Sequence, residues 1–205
     1  MFKKVSCRRI LNCFFIVACL MVFVLPLFAL ENAPLGKKAL MLIAQNNFQD
    51  DEYFRPREVL EKNGVKVTVA STTLNEVTGM LGGKVKPDIL LNNVNVRDFD
   101  AVIFIGGSGA VQYLDDPLAH KLANDAINAN KVVGAICIAP GILANAGVLK
   151  GKRATVYSSE SRLLEAGGSV YTAKPVEKDG KIITASGPAA AAEFGETLVK
   201  ELLVN

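Results

Sequence analysis

The chain has 205 residues, of which 50% are hydrophobic and 21% are charged. This length and composition fit one compact α/β-sized domain better than two, with enough apolar residues for a sizeable core. The formal net charge is +3, but four of the 23 basic residues and none of the 20 acidic residues lie in the first 30 positions. The rest of the chain is therefore close to neutral, which leaves little electrostatic support for a nucleic-acid partner.

Residues 1–30 have the pattern of a targeting or anchoring segment. Lysines and arginines come first, and an uncharged apolar run follows from position 10 to position 30. The run exceeds the apolar core of an ordinary signal peptide and approaches the roughly 20 residues that a helix needs to span a bilayer. We therefore expect a signal peptide or an N-terminal membrane anchor, with residues 37–205 forming a domain on the non-cytoplasmic side. Contact with a membrane is expected only through this segment.

Two alternatives for the leader stay open. Cys19 ends a lipoprotein-like box, but lipidation there is the less favoured alternative because the chain stays apolar beyond that position. If the leader is not functional, the domain is cytoplasmic.

From Lys38 onward, apolar β-branched runs alternate with helix-like stretches, which is typical of a parallel sheet covered by helices. The pattern predicts strands at residues 38–44, 65–71, 101–107, 131–137 and 154–157. It predicts helices at residues 51–64, 115–130, 140–147 and 188–203. Hairpins are expected around residues 82–93 and, with an Asp-Gly turn, over residues 176–186. In the first helix, Pro56 is expected near the start, where a helix tolerates proline.

Ligands of an open parallel sheet bind beyond the carboxyl ends of its strands, where the loops converge. The candidate site is therefore made of the segments that follow the strands. These are residues 46–52, 106–109, 137–141, 157–160 and 186–188.

Cys137 is the only cysteine outside the leader, which excludes a disulfide and a multi-cysteine zinc site within the domain. Ala135 and Ala139, two positions to either side, leave room for a sharp strand-to-helix turn that projects a nucleophile. Pro140 favours a helix that starts immediately after the cysteine, and the positive end of its dipole would favour the thiolate. A buried structural cysteine at a strand end fits the pattern about equally well.

Two glycines at the end of the preceding strand favour the reactive alternative. Gly106 and Gly107 allow backbone to approach a substrate closely. The N–H of Gly107, together with the N–H of Ile138, could form an oxyanion hole beside Cys137.

Three segments in this order resemble the ThiJ/PfpI superfamily: FDAVIFIGGSGAVQYLDDP, KVVGAICIAPGILANAGVLKGKRAT and VEKDGKIITASGPAAAAEFG. The resemblance covers about residues 37–204. It implies a flavodoxin-like sandwich, a mostly parallel sheet with helices on both faces and a nucleophile elbow. It further implies a homodimer and a nucleophilic or redox-sensing cysteine, here Cys137.

The resemblance also implies a glutamate at the start of the first helix, whose protonated carboxyl hydrogen-bonds the thiolate. FQDDEYFRP matches that segment and puts Glu52 in the place of this glutamate. Without the resemblance, Glu52 would be an ordinary residue of a helix first turn. A carboxyl beside a thiolate should have a raised pKa, because the two negative charges disfavour joint ionisation.

Three functions are compatible with these residues. The first is an enzyme acting on reactive carbonyls, glyoxalase-like or deglycase-like, in which Cys137 adds to an aldehyde, Glu52 moves protons and Tyr157 assists by hydrogen bonding. The second is a non-enzymatic sensor or chaperone of oxidative stress, whose partner is an oxidant of Cys137. The third and least favoured is a cysteine peptidase or amidase.

Histidine is missing where peptidase-like members of the superfamily carry it. That position, directly after the cysteine, is Ile138, and Tyr157 stands where other members have a histidine. The one histidine, His120, lies in a predicted helix away from the site. Peptide hydrolysis needs protonation of a poor leaving group, usually by histidine, so it is disfavoured. The sequence predicts neither a cofactor nor a metal.

Overall fold

The computed structural model describes residues 36–204, so the predicted leader at residues 1–30 lies outside the described residues. Within that range no helix combines the length and the apolar character needed to cross a membrane. The strands are β1 Lys38–Leu42, β2 Lys66–Ser71, β3 Val77–Thr78, β4 Lys84–Val85, β5 Ile89–Leu90, β6 Ala101–Phe104, β7 Val132–Ile136, β8 Arg153–Ala154, β9 Val170–Tyr171, β10 Val176–Asp179 and β11 Ile182–Ala185. The α-helices are α1 Asp50–Lys62, α2 Pro117–Asn128, α3 Pro140–Asn145, α4 Ser161–Ala166 and α5 Ala191–Val204.

Seven strands form the main sheet in the order β10-β11-β7-β6-β1-β2-β5. All neighbours pair in parallel except β10 and β11, which form the hairpin predicted around the Asp-Gly turn. The strand β1 has β2 on one side and β6 on the other, so the chain reverses its direction of travel across the sheet there. Such a switch point opens a crevice at the carboxyl ends of the strands.

Alternate residues of the strands feed two apolar layers, one on each face of the sheet. Leu40 and Leu42 of β1 pack in the layer that includes Leu122 of α2, whereas Met41 and Ile43 pack in the layer that includes Phe194 of α5. Each such side chain contributes roughly 1.5–3 kcal/mol when it is fully buried. Helices therefore cover both faces, which confirms the flavodoxin-like α/β class.

The helix α1 carries the candidate proton shuttle and is fixed at its start and along its length. The side chain of Gln49 accepts the N–H of Glu52 at 3.0 Å and thereby caps the helix.

Pro56 lies in the second turn of α1 rather than near the start, so the expectation for this proline is wrong. It removes the N–H that would bond the Glu52 carbonyl, and its ring packs on Gly195 of α5, where a Cβ would come within 2.9 Å of the Pro56 Cα.

Two element predictions are also wrong. The hairpin expected around residues 82–93 lies earlier, where β3 pairs with β4, and β5 joins the main sheet instead. The predicted strand at 154–157 shrinks to β8, which pairs with β9 in a separate two-stranded sheet. Both regions combine short apolar runs with several turn residues, so periodicity alone does not fix the pairing.

Candidate active site

One cavity of about 400 Å³ collects all five residues predicted for the site. Glu52 enters from the first turn of α1, Gly107 from the end of β6 and Cys137 from the end of β7. Ile138 and Tyr157 complete the predicted set. Because the strands β1, β6 and β7 are neighbours in the sheet, the loops after them meet at one edge.

Cys137 stands on a strained turn at the end of β7. Its backbone φ is +63°, a left-handed conformation that costs a residue with a Cβ about 1–2 kcal/mol. Two hydrogen bonds hold this conformation: Cys137 N–H donates to the Ala185 carbonyl, and Tyr157 N–H donates to the Cys137 carbonyl, both at 2.9 Å. The side chain is partly exposed and lines the cavity, which is the arrangement of a nucleophile elbow.

The thiol differs from the expectation in its electrostatics. The helix α3 starts at Pro140, three positions after the cysteine, and not immediately after it. Burial and the negative charge of Glu52 raise the pKa of Cys137 to about 12, although the N–H groups of Gly107 and Ile138 lower it. The pKa of the thiol is therefore raised and not lowered as expected. The groups that favour the thiolate are the loop N–H groups of Gly107 and Ile138 and not the end of a helix.

Glu52 is fully buried although it carries a carboxyl group. Burial raises its pKa to about 7, which outweighs the lowering by the Cys137 thiol and the backbone of Gly106 and adds to a small effect of Asp51. Neither carboxyl oxygen has a hydrogen-bond partner of ordinary geometry among residues 36–204. A buried polar atom without a partner is costly, so a hydrogen bond from a group that enters the cavity would relieve this cost.

Glu52 and Cys137 form a coupled pair. Between the two pKa values the pair holds one proton, on the carboxyl or on the sulfur, so a thiolate arises together with a neutral Glu52. Gly106 lies between them: a Cβ there would fall 2.5 Å from Glu52 Oε2 and 2.6 Å from Cys137 Cβ. Only glycine permits this approach of acid and sulfur.

The predicted oxyanion hole has the required donors. Gly107 has a φ of +100°, and a side chain there would collide with the backbone of residues 47–49. Neither Gly107 N–H nor Ile138 N–H donates to another protein group in the described part of the chain, and both interact with the Cys137 sulfur. They are therefore available to an oxygen bound beside that sulfur.

Tyr157 lies at the mouth of the cavity. Its side chain is 48% exposed, and its ring borders Gly187, where a Cβ would come within 3.3 Å of the ring. Its backbone N–H is anchored to the Cys137 carbonyl, as described above, which holds the backbone of Tyr157 next to the elbow. The side chain is thus accessible to a molecule that enters the cavity.

Six further residues line the cavity and were not singled out from the sequence: Gln49, Met80, Ser108, Ser159, Glu160 and Pro188. Five of them lie in segments already expected at the carboxyl edge of the sheet. Met80 lies in none of these segments, because it belongs to the turn between β3 and β4, and no pattern in the sequence points to it.

Asp50 explains how Met80 reaches the site. The buried Asp50 carboxylate accepts the N–H groups of Leu81 and Gly83, both at 2.7 Å, and so ties the turn to the start of α1. The Met80 sulfur accepts the N–H of Ser108 at 3.4 Å. These contacts hold Met80 in the wall of the cavity.

The three acidic residues at the start of α1 do not converge. Asp50 binds the turn, Asp51 pairs with Arg55 at 2.9 Å, and Glu52 enters the cavity. Within residues 36–204 no group of three potential ligands is placed to hold a metal ion. His120 contacts the carbonyl of Leu114 at 2.7 Å and is not part of the cavity wall.

The fold, the elbow and the buried glutamate together define a class of protein. The model of the DJ-1/PfpI family matches residues 37–201. The chain belongs to the DJ-1/PfpI family, which confirms the resemblance to the ThiJ/PfpI superfamily.

Relatives of this chain include proteins with and without a named activity. An uncharacterised protein of Methanocaldococcus jannaschii is 42% identical over 171 residues, covering 82% of this chain and 83% of the relative. The deglycase PH1704 of Pyrococcus horikoshii is 32% identical, covering 80% of this chain and 99% of the relative. The glutathione-independent glyoxalase DJR-1.2 of Caenorhabditis elegans is 28% identical, covering 81% and 89%.

A solved structure shows the same fold. The ThiJ/PfpI domain protein from Brachyspira murdochii superposes with a TM-score of 0.81 at 32% identity. The match covers 83% of this chain and 99% of that protein.

The buried Glu52 should make stability depend on pH. An unfolded glutamate loses its proton near pH 4.5, whereas Glu52 keeps it until about pH 7. The stability due to neutral Glu52 is thus present below pH 4.5 and is lost as pH rises to 7. Glu52→Gln has no carboxyl to ionise and does not show this loss. Relative to wild type, the free energy of unfolding of the variant in urea should therefore rise by up to about 3 kcal/mol between pH 5 and pH 8. Glu58→Gln, an exposed position on the same helix, is the control; a gain for Glu52→Gln that does not change with pH contradicts the assignment.

The strained elbow gives a second expectation. Because φ at position 137 is +63°, Cys137→Gly should be more stable than Cys137→Ala by about 1 kcal/mol in urea unfolding. The order should reverse at Ala135, a buried strand residue, where Ala135→Gly should destabilise the protein. Equal stability of the two variants at position 137 would show that the turn is not strained.

Proposed function

We propose that this protein is an enzyme of reactive-carbonyl metabolism, glyoxalase-like or deglycase-like, with Cys137 as nucleophile and Glu52 as proton shuttle. The observation that carries the proposal is the buried Glu52 carboxyl, whose two oxygens have no hydrogen-bond partner of ordinary geometry among residues 36–204, in the same cavity as the elbow cysteine. The names of two relatives, a deglycase and a glyoxalase, support it.

Addition to the carbonyl is the first step. The Cys137 sulfur forms a bond to the aldehyde carbon, and the electron pair of the C=O bond moves to oxygen. The N–H groups of Gly107 and Ile138 stabilise the developing oxyanion. The Glu52 carboxyl donates its proton to that oxygen, which gives a hemithioacetal and leaves Glu52 as a carboxylate.

Proton transfer completes the reaction of a 2-oxoaldehyde. The Glu52 carboxylate removes the proton from the former aldehyde carbon, and the electron pair moves towards the ketone oxygen to give an enediolate. Glu52 then returns this proton to the neighbouring carbon, while the proton of the hemithioacetal hydroxyl passes to the former ketone oxygen, so that the carbonyl group moves to the carbon bonded to sulfur. The product is a thioester on Cys137, which water hydrolyses to a 2-hydroxy acid and free thiol. No external oxidant or reductant is needed, and the Tyr157 hydroxyl assists by hydrogen bonding to a substrate oxygen.

Turnover of methylglyoxal by the purified chain tests this mechanism. Formation of lactate should be lost in Cys137→Ser and should fall by about a hundredfold or more in Glu52→Gln, because each variant lacks a group that the steps require. Glu58→Gln should keep the wild-type rate. Unchanged turnover in Cys137→Ser refutes the mechanism.

A second candidate is a non-enzymatic oxidation sensor. It is favoured by the partly exposed sulfur, which an oxidant can reach, and by Glu52 and the loop N–H groups, which could hold an oxidised sulfur. Intact mass after mild peroxide tests it: stable addition of two oxygens at Cys137 without carbonyl turnover favours sensing. Oxidation of the methionines before Cys137 counts against it.

A cysteine peptidase or amidase is the third candidate. Among the described residues that line the cavity none is a histidine, the residue that usually protonates the leaving group in peptide hydrolysis. Export by the leader and homodimer formation are predictions, which N-terminal sequencing of the mature protein and its mass in solution would check.

A further inference from the structure

The charges around the cavity are all of one sign. In the described part of the chain, the ionised or ionisable carboxyl groups of the lining are Glu52 and Glu160, and no lysine, arginine or histidine lines it. Glu52 lies at the bottom, buried and coupled to Cys137. Glu160 is therefore the side chain that presents charge to a molecule entering the mouth.

Glu160 is held in place but is not neutralised. It ends the short 3-10 helix Ser158–Glu160, which follows Tyr157. The Ser159 hydroxyl donates to Glu160 Oε1 at 2.8 Å, and the Glu160 N–H donates to the Tyr157 carbonyl at 2.8 Å. No ion pair involves Glu160 within residues 36–204, although other acids, such as the partly exposed Asp51 and the exposed Glu61, pair with arginines four residues away.

A second feature of the mouth acts in the same direction. The Tyr157 ring is half exposed beside the cavity, and the face of an aromatic ring attracts cations. The remaining lining residues, such as Met80 and Ile138, are uncharged. A carboxylate at the mouth of a largely apolar cleft raises the local concentration of cations and lowers that of anions.

We propose that Glu160, with the Tyr157 ring, selects by charge the molecules that reach Cys137. Compounds that carry an amine or quaternary ammonium group are favoured, and compounds that carry a carboxylate are disfavoured. Resting on the proposed function, this assigns the substrate to aldehydes that are neutral or positively charged and excludes 2-oxo acids. The alternative is that Glu160 is an ordinary solvated surface acid. Water and salt would then screen its charge, and its effect on an entering molecule would be negligible.

Two thiol reagents that differ in charge separate these alternatives without any need for turnover. The full chain is treated with an equimolar mixture of the trimethylammonium-ethyl and sulfonato-ethyl methanethiosulfonates. The ratio of cationic to anionic adduct is read by mass spectrometry on the peptide containing Cys137, since the leader cysteines also react. Both reagents attack the same thiolate, so its pKa cancels from the ratio.

The ratio at Cys137 should exceed that of a free cysteine peptide and should fall by about threefold or more in Glu160→Gln. Glu160→Lys should lower it further, and high salt should reduce the wild-type preference. Glu165→Gln is the matched control, because it removes the same charge from an exposed position on the adjacent helix α4, outside the cavity. It should leave the ratio unchanged.

An unchanged ratio in Glu160→Gln overturns the proposal. An equal fall in Glu165→Gln also overturns it, because the general field of the protein would then be responsible. The result is distinct from that of the turnover assay. If no carbonyl is consumed but the ratio depends on Glu160, the enzymatic function fails and the charge selection stands; if methylglyoxal is consumed and the ratio is insensitive to Glu160, only the charge selection fails.

Discussion

The candidate site depends on the contact between the buried Glu52 carboxyl and the Cys137 sulfur, which meet beside a residue that has no side chain. Glu52 and Cys137 approach each other over Gly106, where any Cβ would displace one of them. Burial makes the ionised form of Glu52 costly, and the same burial opposes the thiolate. The pair therefore resists a second negative charge, and the position of its one remaining proton decides whether the sulfur is nucleophilic. The N–H groups of Gly107 and Ile138 bias that position towards the thiolate.

The sheet delivers the two groups from distant parts of the chain. Glu52 follows β1 and Cys137 follows β7, separated in sequence by 85 positions but only by β6 within the sheet. Since Gly106 and Gly107 follow β6 in the loop between the two groups, the intervening segment contributes backbone alone there and leaves room for both side chains. A side chain at position 106 would collide with Glu52 Oε2, with Cys137 Cβ and with the Ile136 carbonyl, so the contact needs a glycine there.

Sequence patterns predict the parts of the site that depend on strand ends. They fail for residues whose position is set by a tertiary contact. The elbow at Cys137, the glycines after β6 and the parallel sheet follow from apolar runs and from small residues at fixed positions. Glu52 needed the family resemblance, because an acid in a helix first turn is ordinary. Met80 could not be predicted: it reaches the cavity because Asp50, 30 positions earlier, accepts N–H groups of its turn.

Electrostatics links the bottom of the cavity to its mouth. A nearby cation would lower the pKa of the Glu52 carboxyl and hold it as a carboxylate. Such a cation would work against a proton that is shared between Glu52 and the Cys137 thiol. The absence of cationic side chains from the described lining is therefore consistent with a neutral, proton-donating Glu52. The same lining leaves Glu160 without a counter-charge. A carboxylate-bearing molecule would bring a further negative charge towards the coupled pair and Glu160, whereas a positively charged one would be attracted by Glu160 and by the ring of Tyr157.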